Sequence, residues 1–195
     1  MRLGGLRLNA DWAVYPDFLP TDVIDALARD VRARWTADGM HTATIGRGTG
    51  NQIRTDVRGD KIDWLDESDA SPAQASYWQA MTALRLALNE ELYLGLVDLQ
   101  AHYAVFPQGS YYKRHLDRFN ASSDRVMSCC LYLNSDWEDA WGGQLRMYAA
   151  EGVIDVSPRA GTLAIFRSDT VEHEVLPATH ARLSLTGWFT RRQTA

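Results

Sequence analysis

The character of the sequence changes near residue 100, and this change constrains the fold more than any other feature. Before it, Thr21–Arg34 and Gln74–Leu94 carry apolar residues at helical spacing, and Thr21 or Asp22 is expected to cap the first helix. After it, short β-branched and aromatic runs are separated by Gly, Pro, Asn and Asp. These predicted strands include His102–Phe106, Val126–Asn134, Gln144–Tyr148, Thr162–Arg167 and Arg182–Phe189. The order predicts a mainly β fold with flanking helices, a β-sandwich or jelly roll.

Length and composition narrow the class of protein. A chain of 195 residues fits one domain, with helical support over about 1–99 and a jelly-roll core over about 100–190. The net charge of -5 gives no support for nucleic-acid binding. No apolar run approaches the roughly 18 residues of a membrane span, and no signal peptide is recognisable, so a cytoplasmic protein is expected. The two cysteines, Cys129 and Cys130, are adjacent, which argues against a disulfide framework or a zinc ribbon.

The segment YYKRHLDRF places His115 two residues before Asp117. In a β-strand, residues i and i+2 point to the same face, so an imidazole and a carboxylate would lie side by side. An HxD pair alone is weak evidence, because many proteins contain it by chance. His173, just after the strand-like run TLAIF, supplies a third candidate ligand. Two histidines and one carboxylate form the facial triad that binds Fe(II) and leaves coordination positions open.

Arg182 strengthens this interpretation, because it follows His173 by nine residues at the start of RLSLTGWF. Alternation places Arg182, Thr186 and Trp188 on one face of that strand and the leucines on the other. A guanidinium binds carboxylates bidentately, so Arg182 could anchor a carboxylate co-substrate near the metal. Tyr132, on a neighbouring strand, could add a hydroxyl donor. An internal salt bridge is the alternative role for Arg182.

These motifs together resemble the Fe(II)/2-oxoglutarate-dependent dioxygenases, and most closely their prolyl 4-hydroxylase branch. The resemblance includes FPQGSYYKRHLDRF, LYLNSDW followed by WGGQLRMY, and IRTDVRGDKIDWLDE, which is similar to the mobile segment of oxygen-sensing prolyl hydroxylases. It is especially close to the bacterial prolyl hydroxylase domain proteins, relatives of the animal enzymes that modify hypoxia-inducible factor. One bacterial branch is associated with a prolyl residue of elongation factor Tu.

The resemblance implies a role for each matching residue. His115, Asp117 and His173 match the iron ligands, Arg182 matches the residue that pairs with 2-oxoglutarate, and Tyr132 matches its hydrogen-bonding partner. Further positions match the pocket wall or the site entrance: Leu145, Thr186, Trp188, Tyr112 and Arg125.

One departure from the family pattern is Phe106, which stands where relatives often have tyrosine. A hydrogen bond that this tyrosine makes near the iron would be lost, or would come from Tyr103 or Tyr112. Arg58 and Asp60 belong to the mobile segment and are expected to line the site, or simply to pair and stabilise a turn. The glycine-rich Gly46–Gly50 is a candidate lid within a longer lid-like stretch, Gly46–Trp64.

The implied activity is hydroxylation of a prolyl residue in a protein substrate, with elongation factor Tu as one candidate. Fe(II), 2-oxoglutarate and O2 are the implied cofactor and co-substrates, with L-ascorbate expected to rescue oxidised iron. 2-Oxoglutarate would yield succinate and carbon dioxide. Two alternatives remain at this point: the same chemistry on a free amino acid or other small molecule, and a non-catalytic jelly-roll binding module.

Overall fold

The computed structural model describes residues 11–44, 52–118 and 124–192, and two α-helices lie within these ranges. Helix α1 spans Thr21–Thr36, and its N-cap is Pro20, which makes no side-chain cap. The expected cap at Thr21 or Asp22 is therefore wrong, because both residues already belong to the first helical turn. Helix α2 spans Pro72–Leu92 and begins with a capping box in which Ser71 and Gln74 exchange hydrogen bonds.

The described strands are more numerous than the sequence predicted. In chain order, β1 to β11 are Trp12–Tyr15, His41–Thr42, Lys61–Trp64, Leu96–Phe106, Tyr112–His115, Arg125–Tyr132, Leu145–Ala149, Gly152–Val156, Leu163–Arg167, Glu172–Val175 and Arg182–Arg191. Strands β1, β2 and β3 fall in the region expected to be helical support. They were missed because runs of two to four residues carry little periodicity.

The strands form two antiparallel sheets. The large sheet has the order β1-β9-β6-β11-β4-β3-β2, and the small sheet has the order β5-β10-β7-β8. Strand β11 lies between β6 and β4 and pairs with both along nearly its whole length. The predicted mainly β jelly roll with flanking helices is confirmed.

The large sheet separates two buried layers. The helix–sheet layer lies between α1, α2 and one sheet face, where Leu27, Met81 and Leu84 pack with Leu185 and Phe189. The inter-sheet layer is a separate cluster that includes Phe106, Tyr132, Leu145, Met147 and Phe166. Odd-numbered residues of β11 fill the first layer, and even-numbered residues face the second, as the alternation in the sequence predicted.

The described residues contain no helix that is both long and apolar enough to cross a membrane.

Candidate metal and co-substrate site

The three predicted metal ligands meet at one end of the inter-sheet layer. His115 ends β5 and His173 lies on β10, and the two residues are directly paired across these strands. The candidate ligand atoms of His115, Asp117 and His173 all lie within 4.8 Å of one another. The Nε2 atom of His115 lies 3.5 Å from Oδ1 of Asp117, and that of His173 lies 3.6 Å from Oδ2. The sequence therefore identified residues that the fold brings together.

The local geometry differs from the prediction at Asp117. Strand β5 ends at His115, so Asp117 follows the strand in a bend rather than continuing it. The explanation from strand alternation therefore fails for Asp117. Its carboxylate reaches the two histidines because the chain turns back toward the large sheet, where Ser128 donates to Oδ2 at 2.6 Å.

Hydrogen bonds leave the Nε2 atoms of both histidines directed at the site. Nδ1 of His115 lies 2.7 Å from the Lys113 carbonyl, and Nδ1 of His173 lies 3.2 Å from the Val171 carbonyl. A carbonyl only accepts, so each Nδ1 carries the proton and each Nε2 presents a lone pair. This is the tautomer that metal ligation requires.

The protonation states also suit a cation. Burial lowers the pKa of His173 to about 4, so its imidazole is neutral at neutral pH. Burial acts to raise the pKa of Asp117, but His173, His115 and the Ser128 hydroxyl outweigh it and hold that pKa below its usual range. A neutral imidazole beside an ionised carboxylate matches the donor set preferred by Fe(II).

Arg182 lies beside Phe106 and Tyr132 of the inter-sheet layer. Its Nε donates to the Gly143 carbonyl at 2.9 Å, and its side chain is buried. One terminal nitrogen of Arg182 and the hydroxyl of Tyr132 are buried without a hydrogen-bond partner in the described parts of the chain. The predicted alternative, an internal salt bridge, is not found among the described residues.

These unpartnered atoms are a specific signal. Buried polar groups are nearly always hydrogen-bonded, and leaving a charged donor unpaired is costly. The Arg182 guanidinium carbon lies 4.9 Å from the centre of the Tyr132 ring, so the two side chains that carry these donors are in contact. Burial raises the pKa of Tyr132 well above its usual value, which keeps its phenol a neutral donor. The pair fits a ligand carboxylate.

Gly143 fixes the direction of Arg182. Its backbone has φ +72°, and a Cβ there would lie 3.0 Å from both Ala178 Cβ and Trp137 Cζ2. A glycine is therefore required where this carbonyl meets the guanidinium. Phe106, in place of the family tyrosine, contributes an apolar ring 5.2 Å from the Arg182 guanidinium carbon.

The predicted pocket residues are found on the inter-sheet side. Leu145 is buried there, and Thr186 has its hydroxyl 3.2 Å from that of Ser184 and 3.5 Å from the Cys130 sulfur. Trp188 is buried, its indole nitrogen has no described partner, and the guanidinium carbon of Arg125 lies 3.5 Å from its ring centre.

The Arg58-Gly59-Asp60 turn contacts the metal site through Tyr112. Arg58 and Asp60 form a two-bond ion pair with distances of 2.7 and 2.5 Å, as the turn interpretation predicted. The guanidinium carbon of Arg58 lies 4.4 Å from the Tyr112 ring centre, and that ring stacks on His115 at 3.6 Å. Residues 45–51, which include Gly46–Gly50, lie outside the described residues, so only the later part of the candidate lid is described and its role stays a prediction.

Tyr103 is the one predicted lining residue that the structure removes from the site. It is buried in the helix–sheet layer, and its hydroxyl donates to Asp30 of α1 at 2.9 Å. Tyr103 pairs with Leu185, and paired residues share a sheet face, so it points away from the metal ligands. Tyr103 therefore cannot supply a hydrogen bond near the proposed metal ligands.

The sequence interpretation missed three contributors. Ser128 was on the correct face of its predicted strand but was given no role. Ser168 follows β9, and nothing in its local sequence indicates its contact with Ser128. Trp64, on β3, is half exposed, and its ring lies 6.2 Å from that of Trp188. We call these two rings the aromatic wall.

Comparison with known proteins agrees with this geometry. The profile of the 2OG-Fe(II) oxygenase superfamily matches residues 101–190. A crystal structure of a Pseudomonas putida prolyl-4-hydroxylase is 46% identical, with a TM-score of 0.84 and 93% of each chain covered. A Trichoplax adhaerens prolyl hydroxylase, solved with a hypoxia inducible factor peptide fragment, is 25% identical with a TM-score of 0.82, over 92% of this chain and 83% of that one.

Human Egl nine homolog 1 is 30% identical over 192 residues, which are 90% of this chain but 43% of that protein. The chain thus spans about half the length of several curated relatives that it matches. On the extent of the Pseudomonas putida match and on the superfamily profile, this chain belongs to the 2OG-Fe(II) oxygenases of the prolyl hydroxylase type.

Proposed function

We propose that this protein hydroxylates a prolyl residue in a protein substrate. The observation that carries the proposal is the 46% identity to the Pseudomonas putida prolyl-4-hydroxylase across 93% of both chains. The peptide complex of the Trichoplax adhaerens relative supports a polypeptide substrate. Elongation factor Tu is the candidate substrate that the sequence resemblance suggests, and a cytoplasmic location also stays a prediction from sequence.

Membership in the superfamily implies Fe(II), 2-oxoglutarate and O2. His115, Asp117 and His173 are the proposed iron ligands, and the ion would supply the activation of dioxygen when bound. Arg182 and Tyr132 are proposed to bind one carboxylate of 2-oxoglutarate. The donors are the terminal nitrogen and the hydroxyl that have no hydrogen-bond partner among the described residues. One oxygen atom would enter the substrate and the other would enter succinate, with release of carbon dioxide. L-ascorbate is proposed to keep the iron reduced.

The aromatic wall suits a prolyl peptide. Trp64 is half exposed and offers a ring face, whereas Trp188 is buried and the guanidinium carbon of Arg125 lies 3.5 Å from its ring centre. The exposed face of Trp64 could contact the pyrrolidine of a substrate. Water exclusion by these rings would protect the reaction from side chemistry.

The test uses the intact protein with Fe(II), 2-oxoglutarate, L-ascorbate and host extract under isotopically heavy dioxygen, followed by mass spectrometry. Purified elongation factor Tu is assayed in parallel, and His173→Ala is the inactive control. Heavy oxygen on a prolyl peptide is the expected result. Heavy oxygen in an amino acid or a small molecule other than succinate, with none on a prolyl peptide, would overturn the proposal and favour the alternative substrate class. If no heavy oxygen is incorporated and no succinate forms, the catalytic assignment is overturned.

A further inference from the structure

Asp117 is held differently from the two histidine ligands. His115 and His173 are fixed by pairing between β5 and β10, whereas Asp117 follows the end of β5 and has no strand partner. A carboxylate outside the ladder has more rotational freedom unless side chains restrain it. Its orientation at the metal site must therefore come from hydrogen bonds.

Two buried serines supply such hydrogen bonds. The hydroxyl of Ser128, on β6, donates to Oδ2 of Asp117 at 2.6 Å. The hydroxyl of Ser168, which follows β9, lies 2.9 Å from that of Ser128. Ser128 is 1% exposed and Ser168 is 0% exposed, so water does not compete for these bonds.

The direction of the second hydrogen bond follows from counting protons. A serine hydroxyl has one proton, and an ionised carboxylate can only accept. Ser128 gives its proton to Asp117, so it can only accept from Ser168. The relay thus runs from Ser168 to Ser128 to Asp117, and each donation strengthens the next through polarisation.

The backbone holds the same three residues together. The N–H of Arg118 donates to the Ser168 carbonyl at 2.9 Å, and the N–H of Ser168 donates to the Val126 carbonyl at 3.0 Å. The segment after Asp117 is therefore attached to the end of β9, which is attached to β6. Both serine side chains are positioned by strands of the large sheet, not by the small sheet that carries the histidines.

We propose that Ser128 and Ser168 are positioning residues that orient Asp117 for metal binding and act in series. The Ser128 hydroxyl engages Oδ2 and leaves Oδ1 as the carboxylate oxygen for the ion. The large sheet thereby fixes the third ligand relative to the two histidines of the small sheet. This inference deepens the proposed function, since it rests on the metal site assigned there.

The test measures Mn(II) affinity, because Mn(II) binds such sites without redox chemistry and its free ion is counted directly by electron paramagnetic resonance. Ser128→Ala is expected to weaken Mn(II) binding roughly 10- to 100-fold, the usual effect of removing a partner of a metal ligand. Ser168→Ala is expected to weaken it roughly two- to tenfold, the value of one neutral hydrogen bond.

Three further variants separate positioning from general damage. The double variant Ser128→Ala/Ser168→Ala should bind Mn(II) as Ser128→Ala does, because Ser168 acts only through Ser128. Ser128→Thr keeps the hydroxyl and should restore affinity to near the wild-type value. Ser157→Ala removes a partly buried serine that donates to the Asp139 carboxylate at 2.7 Å, and should leave affinity unchanged.

The outcomes distinguish the relay from the site itself. Wild-type Mn(II) affinity in Ser128→Ala would overturn the positioning role, and additive losses in the double variant would overturn the series arrangement. If Ser128→Ala does not fold, unchanged affinity in Ser168→Ala would overturn the relay. If the wild-type protein binds Mn(II) no better than His173→Ala, the metal site itself is wrong. None of these measurements depends on prolyl hydroxylation.

Discussion

Two charged side chains, the partly buried Asp30 in one layer and the buried Arg182 in the other, show how a stabilising ion pair differs from a binding site. In the helix–sheet layer, Asp30 accepts hydrogen bonds from Arg34 at 2.9 Å, Gln74 at 2.7 Å and Tyr103 at 2.9 Å. In the inter-sheet layer, Arg182 is more deeply buried, yet one of its terminal nitrogens has no described partner. The protein completes the first group by itself. The second requires a ligand to be complete.

The comparison predicts that the inter-sheet layer can lose function without losing the fold. His173→Ala removes one of the three proposed metal ligands, so we expect metal binding and succinate formation to fall to background. Far-UV circular dichroism should stay unchanged, because β10 keeps its pairing with β5 and β7. The measurements are Mn(II) binding and succinate release. Wild-type turnover in this variant would remove His173 from the metal site.

Arg182→Met tests the unpartnered charge directly. We expect 2-oxoglutarate affinity to fall by about 2–5 kcal/mol, because a buried charged donor to a carboxylate is lost. The metal-free protein should be as stable as wild type or more stable, since an apolar side chain of similar size replaces an incompletely paired cation. Calorimetric titration and urea unfolding measure the two quantities. Unchanged affinity would mean that another residue binds the co-substrate.

Asp30→Ala is the matched variant in the other layer. It leaves Tyr103 and Gln74 without their acceptor, so we expect the free energy of unfolding to fall by about 1–3 kcal/mol. Arg34 keeps its second partner, Asp63, at 2.7 Å, which limits the loss. The affinity for 2-oxoglutarate should not change. A larger effect on affinity than on stability would contradict the separation of the two layers.

His102 gives a smaller, pH-dependent effect at the edge of the inter-sheet layer. Burial lowers the pKa of His102 to about 4, from about 6.5 in an unfolded chain. The folded state then binds fewer protons than the unfolded state, so stability is fully present above about pH 6.5 and falls as the pH decreases toward about 4.

His102→Gln removes one titrating group, so we expect the metal-free variant to lose less stability between pH 7 and pH 5 than wild type. The difference should be about 2 kcal/mol at most. The measurement is urea unfolding at the two pH values. Groups that influence His102 include Asp60, Arg58 and Arg125. An identical pH dependence would show that His102 is not buried in its neutral form.

The sequence predicted the parts of the site that depend on strand alternation. The predicted alternation along β11 assigned Arg182, Thr186 and Trp188 to the correct face. The confirmed jelly roll brings His115 and His173 together. Tyr103 was misassigned, although strand alternation also applies to β4. Ala104 and Phe106 face the site, so Tyr103, next to Ala104, must face the helices. Contacts that depend on the end of a strand, such as those of Asp117 and Ser168, leave no periodic signal and appear only when both sheets are in place.

The hydrogen bond from Arg182 Nε to the Gly143 carbonyl has a consequence for the choice of co-substrate. It orients the guanidinium, and we expect it to keep the unpartnered terminal nitrogen at a fixed distance from the proposed metal ligands. A dicarboxylic 2-oxo acid must match that distance to contact both ends at once. We therefore expect oxaloacetate, one carbon shorter than 2-oxoglutarate, and 2-oxoadipate, one carbon longer, to bind less tightly. If Arg182 binds the co-substrate as proposed, the protein would select that co-substrate by length, and a glycine carbonyl would set the length.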